Sequence, residues 1–354
     1  KDKIDSVRKA AIDSSYKWFE QIREKLNAQK NLKKIMLVSS PYDETVKNGK
    51  DPFWGKYKTM EGIVAFQKEA AKKNNWPYVD LFYPMTEINK TGQQTDTAFT
   101  MTGPDRIHPG NGGHLVMAYL FLKAQGLANK PVANVIINAA NNKTIKAKNA
   151  TISALSKKGN TLTFKYLAKS LPFPIDSTAR VFLNPQKQYE ALSVVPFIKE
   201  FDAELLTIKG LDESKKYILK IDGNIINSFD GMQLMNGINM ALLSNTPQYQ
   251  QAKRVMELQL KRKDLEDKLR SFYWISYDYL YDKGWFMKDS KAITDSIMAE
   301  AKKNPFVNGK KEAYLETHEK SQRDQIQQQM NDMTAEMYRM AKPVEHIITI
   351  EKIN

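Results

Sequence analysis

At 354 residues, with 42% hydrophobic and 27% charged side chains, the chain has the length for two domains and the composition of a folded globular protein with a sizeable core. It contains no Cys, which excludes disulfides, thiolate catalysis and Cys-ligated metal sites but leaves the redox compartment open. The net charge of +14 comes from lysines spread in pairs such as Lys33-Lys34, Lys157-Lys158 and Lys302-Lys303. No dense basic stripe and no nucleic-acid motif accompanies them, so a solvated basic surface is expected and no nucleic-acid partner, with attraction to acidic polysaccharide or anionic lipid left open. No apolar run approaches the roughly 20 residues of a membrane span. Residue 1 opens a charged segment without an initiating Met or a signal-peptide pattern, and a trimmed chain is expected.

Residues 1–30 read as an amphipathic helix, with Ile4, Val7, Ala11, Ser15, Trp18, Ile22 and Leu26 at three- and four-residue steps. The apolar run Ile35-Met36-Leu37-Val38 predicts a buried parallel strand. Ligands bind beyond the carboxyl ends of such strands, which makes the following Ser39-Ser40-Pro41-Tyr42-Asp43-Glu44 a candidate pocket wall, with Trp54 just after it. We assign Tyr42, Asp43 and Trp54 as candidate substrate contacts. A helical period over 56–75 and an extended apolar stretch over 78–83 follow, and alternating helix and strand argues a parallel sheet. A polar stretch, 87–102, leads to Gly103-Pro104-Asp105-Arg106-Ile107-His108-Pro109-Gly110-Asn111-Gly112-Gly113-His114 and a helix over 113–125.

This block pairs an acid with an imidazole. An Asp three residues before a His on a tight turn can accept from one ring nitrogen, fix the tautomer and stabilise the imidazolium, while the other nitrogen takes a proton from a nucleophile. Spacing alone favours a surface turn whose Asp caps the following helix. His114, at a helix start, suits a capping or supporting role; a metal site would need partners that only His318 and His346 remain to supply, so no metal and no cofactor are expected.

The Asp-x-x-His-Pro block before a Gly-rich helix start resembles the last signature block of the SGNH hydrolases, the GDSL-type lipases and esterases. Pro41-Tyr42-Asp43, Leu171-Pro172-Phe173-Pro174 and Asn236-Gly237-Ile238-Asn239-Met240-Ala241 are similar to long bacterial members with a C-terminal extension. The resemblance implies that Asp105 is the orienting acid and His108 the general base of a Ser-His-Asp triad. It also implies a serine in a Gly-Asp-Ser block and an oxyanion hole completed by a Gly and a Gly-x-Asn-Asp block. Neither of those blocks, nor Gly-x-Ser-x-Gly, occurs in these residues. Ser39 and Ser40 lie at a strand end, but the family carries its nucleophile on another strand. About a hundred further residues before Lys1 are therefore expected, on domain-size grounds.

Beyond residue 127, short β-patterned runs at 132–137, 144–147, 150–152, 161–166 and 216–221 alternate with Asn-Asn, Gly-Asn and Asp-Gly turns. The Pro-rich stretch 170–176 is a stiff connection. Helical periods cover 248–281, 289–303 and 320–341, and 345–353 alternates as a strand. The aromatic run 272–286 is expected mainly to pack, with sugar stacking the other use of such rings. Sequons at Asn89, Asn142 and Asn149 carry no weight.

The expected fold is α/β: the C-terminal half of a three-layer α/β/α (flavodoxin-like) SGNH domain over 1–128, a β-rich accessory domain over 129–245, a helical extension over 246–342, and a strand over 343–354 that returns to the β-rich domain. The resemblance implies an ester hydrolase acting on acylated, chiefly acetylated, glycans or other small esters, in a secreted, periplasmic or outer-surface location. The alternative is a non-catalytic binding or scaffold lipoprotein with envelope protein partners and a vestigial hydrolase domain.

Overall fold

A computed structural model describes residues 2–181 and 184–353, with side chains from residue 5 onward, so Lys1 and the Ile4 side chain of the expected first helix lie outside the described residues. The chain is mixed α/β with a helical C-terminal region, and it divides into two compact units, Lys1–Pro131 with Ile175–Asp202, and Val132–Pro174 with Ala203–Asn354.

In the first unit, α1 (Asp2–Ala28) packs on α2 (Lys56–Lys73). The stripe of α1 that meets α2 differs from the expected one. Tyr16 and Phe19 lie against Phe66, at ring separations of 5.3 and 5.4 Å, Tyr16 staying partly exposed, whereas Val7, Trp18 and Ile22 are more exposed still. The helix carries two apolar stripes, and the aromatic one meets α2. Strand β1 (Met36–Leu37) pairs in parallel with β2 (Tyr78–Val79), Met36 opposite Tyr78 and Leu37 opposite Val79. Period-2 alternation sends successive β2 side chains to opposite faces. Tyr78 joins Met36, Val38, Val64 and Phe82 in one apolar cluster, and Val79 joins Met85, Met101, Leu115 and Val116 in another.

The expected strand over 78–83 ends after Val79. Phe82 starts α3 (Phe82–Gln93), because Pro84 sits in its first turn, where no backbone donor is needed, and Asp80 Oδ1 accepts from Tyr83 N at 3.1 Å. Helix α4 (Asn111–Ala124) buries Leu115, Val116 and Tyr119. Residues 175–202, expected inside the β-rich domain, belong to this first unit. Ala191, Val195 and Phe197, the last in α5 (Phe197–Phe201), are buried with Val116 and Tyr119, and Tyr119 donates to Glu200 at 2.9 Å.

The second unit is built on two sheets. β3 (Ala133–Asn138), β4 (Lys143–Lys148), β7 (Glu204–Lys209) and β10 (Ile238–Asn239) form one, in the order β10-β7-β3-β4 with β3 and β7 parallel. β5 (Ala150–Lys158), β6 (Thr161–Ala168), β8 (Lys216–Ile221), β9 (Asn224–Asp230) and β11 (His346–Lys352) form the other, in the order β5-β6-β11-β8-β9. The alternating buried positions Val135, Ile137, Phe164, Tyr166, Leu206, Ile208, Leu219, Ile348 and Ile350 meet in one core. β11 enters that sheet between β6 and β8. β7 and β9 are not among the strands expected from sequence; β9 is mostly exposed, with Ile226 its buried position.

A short helix α6 (Gly231–Asn236) follows β9. The long helix α7 (Pro247–Ile275) then runs against α11 (Lys320–Met340), with α8 (Lys291–Ala301), α9 (Pro305–Asn308) and α10 (Lys311–Leu315) between them in sequence. Gln251 donates to Met340 O and Lys342 O, both at 2.7 Å, and Arg262 to Thr334 Oγ1 at 3.2 Å, so α7 and α11 are antiparallel. The aromatic run 272–286 is split: Phe272 and Leu280 are buried with Ile293, Ile297 and Tyr314, while Tyr277 and Tyr281 are exposed.

Two outcomes test this core. Phe164 is fully buried between the sheets, so Phe164→Ala lowers the urea-unfolding free energy by about 3–5 kcal/mol. The Asp222 carboxyl feels burial, which pushes it up, but donation from Ile347 N at 2.7 Å and pairing with His346 Nδ1 at 2.7 Å outweigh that and hold it below the usual value. A depressed carboxyl stabilises above its unfolded pKa and loses that contribution as pH falls through the folded value. Wild type therefore melts above Asp222→Asn at pH 7, and the gap closes as pH drops below about 4. A gap independent of pH from 7 to 2 contradicts the assignment.

Candidate active site

The 103–114 block folds as a turn that reverses on itself before α4. Gly103 adopts φ 79°, and a Cβ there would lie 2.1 Å from His108 O, so only glycine fits this close approach. Arg106 is left-handed as well, at φ 74°, which costs an ordinary residue roughly 1–2 kcal/mol. Its side chain offsets that cost. The guanidinium is buried and donates to Asp43 O at 3.0 Å, Val46 O at 2.8 Å, Asn48 Oδ1 at 3.0 Å and Lys50 O. Hydrogen bonds from a charged donor contribute about 1.5–3 kcal/mol each, so four outweigh the backbone cost even after part is lost to desolvation.

The reversal brings Asp105 back over its own turn. Its Oδ1 accepts from Ile107 N at 3.2 Å and His108 N at 2.9 Å, and its Oδ2 lies 2.5 Å from His108 Nδ1. Burial pushes the Asp105 carboxyl up, but the hydrogen bonds from the His108 ring and from the two backbone amides prevail and hold it below the usual carboxylate range. The His108 side chain is 78% exposed, so with Nδ1 engaged by the acid, Nε2 is open to solvent. Such a ring can take a proton from an incoming hydroxyl and return it to a leaving group.

The competing sequence reading, an Asp capping the next helix, does not hold. The amides at the start of α4 are met from elsewhere: Asn111 N donates to Gln186 O at 3.3 Å and Gly113 N to Gln186 Oε1 at 2.8 Å. Asn184, also buried, donates to His108 O at 3.2 Å and accepts from Gln186 N at 3.1 Å. Sequence reasoning missed Asn184, Gln186 and the role of Arg106. The first two arrive some 70 residues later on an irregular segment without a local pattern, and only the crowding of glycines at 103, 110, 112 and 113 signalled that something packs closely there. His114 lies within α4, where burial lowers its pKa, the weaker opposing influence being the Gly110 carbonyl.

The other candidates have different surroundings. The loop of Tyr42 and Asp43 is joined to the turn, since Asp43 N donates to Arg106 O at 2.9 Å. The Asp43 side chain, however, is buried and occupied: it accepts from Thr45 N, Thr45 Oγ1 and Val46 N, and from Gln93 Nε2 at 2.9 Å. These donors make it a brace of the loop. Tyr42 is buried too, its hydroxyl accepting from Phe53 N at 2.9 Å, and both line a cavity of about 140 Å³ with Tyr57, Thr86 and Asn89. Trp54 is 70% exposed and faces α1 across an open cavity of about 430 Å³ beside Val7, Arg8 and Ala11. Ser40 is buried, its hydroxyl donating to Ile107 O at 3.3 Å, and Ser39 donates to Ser40 O at 2.9 Å. Among the described residues no three His, Asp or Glu side chains group as metal ligands, and no helix is long and apolar enough to cross a membrane.

A family model described as the diltiazem deacetylase C-terminal helical domain matches residues 253–342, the stretch of α7 to α11. Curated proteins gave no match. Among solved structures the chain is similar to BT4096, a gut microbial diltiazem-metabolizing enzyme, with a TM-score of 0.92 and 38% sequence identity. The match covers 97% of this chain and 77% of that chain, and the protein belongs to the family of that diltiazem-metabolizing enzyme.

Proposed function

We propose that the protein is a serine ester hydrolase of the SGNH type that removes acyl groups, chiefly acetyl, from small esters or acetylated glycans. The observation that carries this reading is the 2.5 Å approach of Asp105 Oδ2 to His108 Nδ1 on a ring whose Nε2 faces solvent. Membership in the family of a diltiazem-metabolizing enzyme, and the match to a diltiazem deacetylase helical domain, support deacylation as the reaction class.

In the mechanism, His108 Nε2 takes the serine proton as the hydroxyl attacks the ester carbonyl, then returns it to the departing alcohol. The acyl-serine is hydrolysed by a water that the same nitrogen activates. Asp105 keeps Nδ1 protonated and stabilises the imidazolium. Neither Ser39 nor Ser40 has a hydrogen bond to His108, and no Gly-Asp-Ser block occurs among these residues, so the serine and the oxyanion donors come, in this reading, from polypeptide outside them. The outer edge of β1 supports that source. Met36 N and Val38 N donate to Pro77 O and Val79 O of the β2 side, while Leu37, between them, is 48% exposed. Parallel sheets are ordinarily wider than two strands and covered on both faces, so this edge suits a further parallel strand. Trp54 is proposed as an aromatic wall toward the alcohol portion of the substrate. We place the protein at the bacterial cell envelope or exterior, which fractionation of cells expressing the native sequence tests; recovery wholly in the cytosol contradicts it.

Turnover of p-nitrophenyl acetate by the full-length protein tests the chemistry. His108→Ala lowers kcat by about 10²- to 10⁴-fold, the range of proton-transfer catalysis. Asp105→Asn lowers it by at least about 10²-fold with KM little changed, because the orienting charge is lost while substrate contacts remain. Equal rates for wild type and His108→Ala would remove this ring from the mechanism.

A further inference from the structure

Arg106 stands between the two members of the pair and is used by neither the proton transfer nor the substrate. Three observations set it apart. It is the one non-glycine residue of the 103–110 turn with a left-handed backbone, at φ 74°. It is buried, at 4% exposure, although it carries a full charge. All four of its side-chain acceptors lie on the neighbouring 43–50 loop, and all are neutral oxygens: three carbonyls and the Asn48 amide. The loop answers through the backbone, Asp43 N to Arg106 O at 2.9 Å, and through Asn48 Nδ2 to Pro104 O at 2.8 Å.

We propose that Arg106 is the positioning residue of the Asp105–His108 pair. Its fork clamps the 43–50 loop, and the clamp holds residue 106 in the left-handed conformation that lets one carboxylate oxygen take two amides while the other meets Nδ1. Released, residue 106 relaxes toward an ordinary conformation, the amides of Ile107 and His108 turn away from Oδ1, and Oδ2 leaves the ring. A lysine cannot replace it, since a single ammonium on a flexible stem does not span four fixed oxygens. The catalytic weight of this clamp rests on the hydrolase reading above, whereas its geometry does not.

The test separates the two. In the full-length protein, labelled at histidine nitrogen, the downfield Nδ1 proton of His108 is assigned by its loss in His108→Ala, and the Asp105 carboxyl is titrated by carbon NMR. Arg106→Gly tolerates the left-handed backbone but removes the clamp, Arg106→Lys keeps the charge, and Asn48→Ala removes one acceptor at the solvent side. The downfield proton broadens or disappears in Arg106→Gly and Arg106→Lys, and the Asp105 titration rises toward the ordinary carboxylate range; Asn48→Ala gives a smaller change in the same direction. In the full-length protein Arg106→Gly lowers kcat for p-nitrophenyl acetate by about 10- to 100-fold with KM within about twofold, as loss of orientation without loss of contact requires. An unchanged proton signal and titration in Arg106→Gly, with native circular dichroism, overturns the proposal; should that variant not fold, unchanged signals in Asn48→Ala overturn it. Loss of the signal in a protein whose wild type hydrolyses no ester supports the clamp and refutes the hydrolase reading alone.

Discussion

The constraint on which this structure depends is the left-handed backbone at Arg106. There the chain reverses between Asp105 and His108, and Asp105 Oδ1 takes the amides of residues 107 and 108. Because the buried guanidinium grips four oxygens of the 43–50 loop, the reversed turn becomes the low-energy arrangement. The acid meets Nδ1 at 2.5 Å.

Other segments of the first unit support that turn from outside. Asn184 and Gln186 hold it from the far end of the unit, one taking the His108 carbonyl into a hydrogen bond and the other closing the start of α4. Their segment is anchored in turn by burial of Ala191, Val195 and Phe197 in the cluster of Val116 and Tyr119. The Asp43 side chain, with Thr45, Val46 and Gln93 on it, fixes the loop that Arg106 grips. The reactive groups are exposed and the groups that orient them are buried, which lets a substrate reach a rigid pair.

The second unit shows a related device in a different setting. Asp222, also left-handed at φ 50°, accepts from a histidine ring and from a backbone amide next to it, His346 Nδ1 and Ile347 N. Here the ring is buried within the β6-β11-β8 sheet. The same acid-imidazole bond therefore ties a closing strand to a hairpin turn, and exposure of the second nitrogen is what separates the site from the staple.

Local pattern alone determined a good deal. The alternation in β3, β6, β8 and β11, the period of α7 and α11, and the Asp-x-x-His-Pro turn are written in adjacent residues, because period and turn chemistry act over a few positions. The pairing of Asp105 with His108 was legible for the same reason. What pattern could not decide was anything that needs two distant segments to meet. It could not choose between the two apolar stripes of α1, since that depends on Phe66 of α2. It read 78–83 as one strand, where Asp80 and Pro84 begin a helix instead, and it placed 175–202 with the β-rich unit, because the apolar partners of that segment, α4 among them, lie far away in sequence. The donors that engage the Asp43 carboxylate and the acceptors of Arg106 were likewise beyond local pattern. A buried charge declares its purpose only through its acceptors, and those of Arg106 lie some sixty residues away in the chain, brought within 3 Å only by the fold.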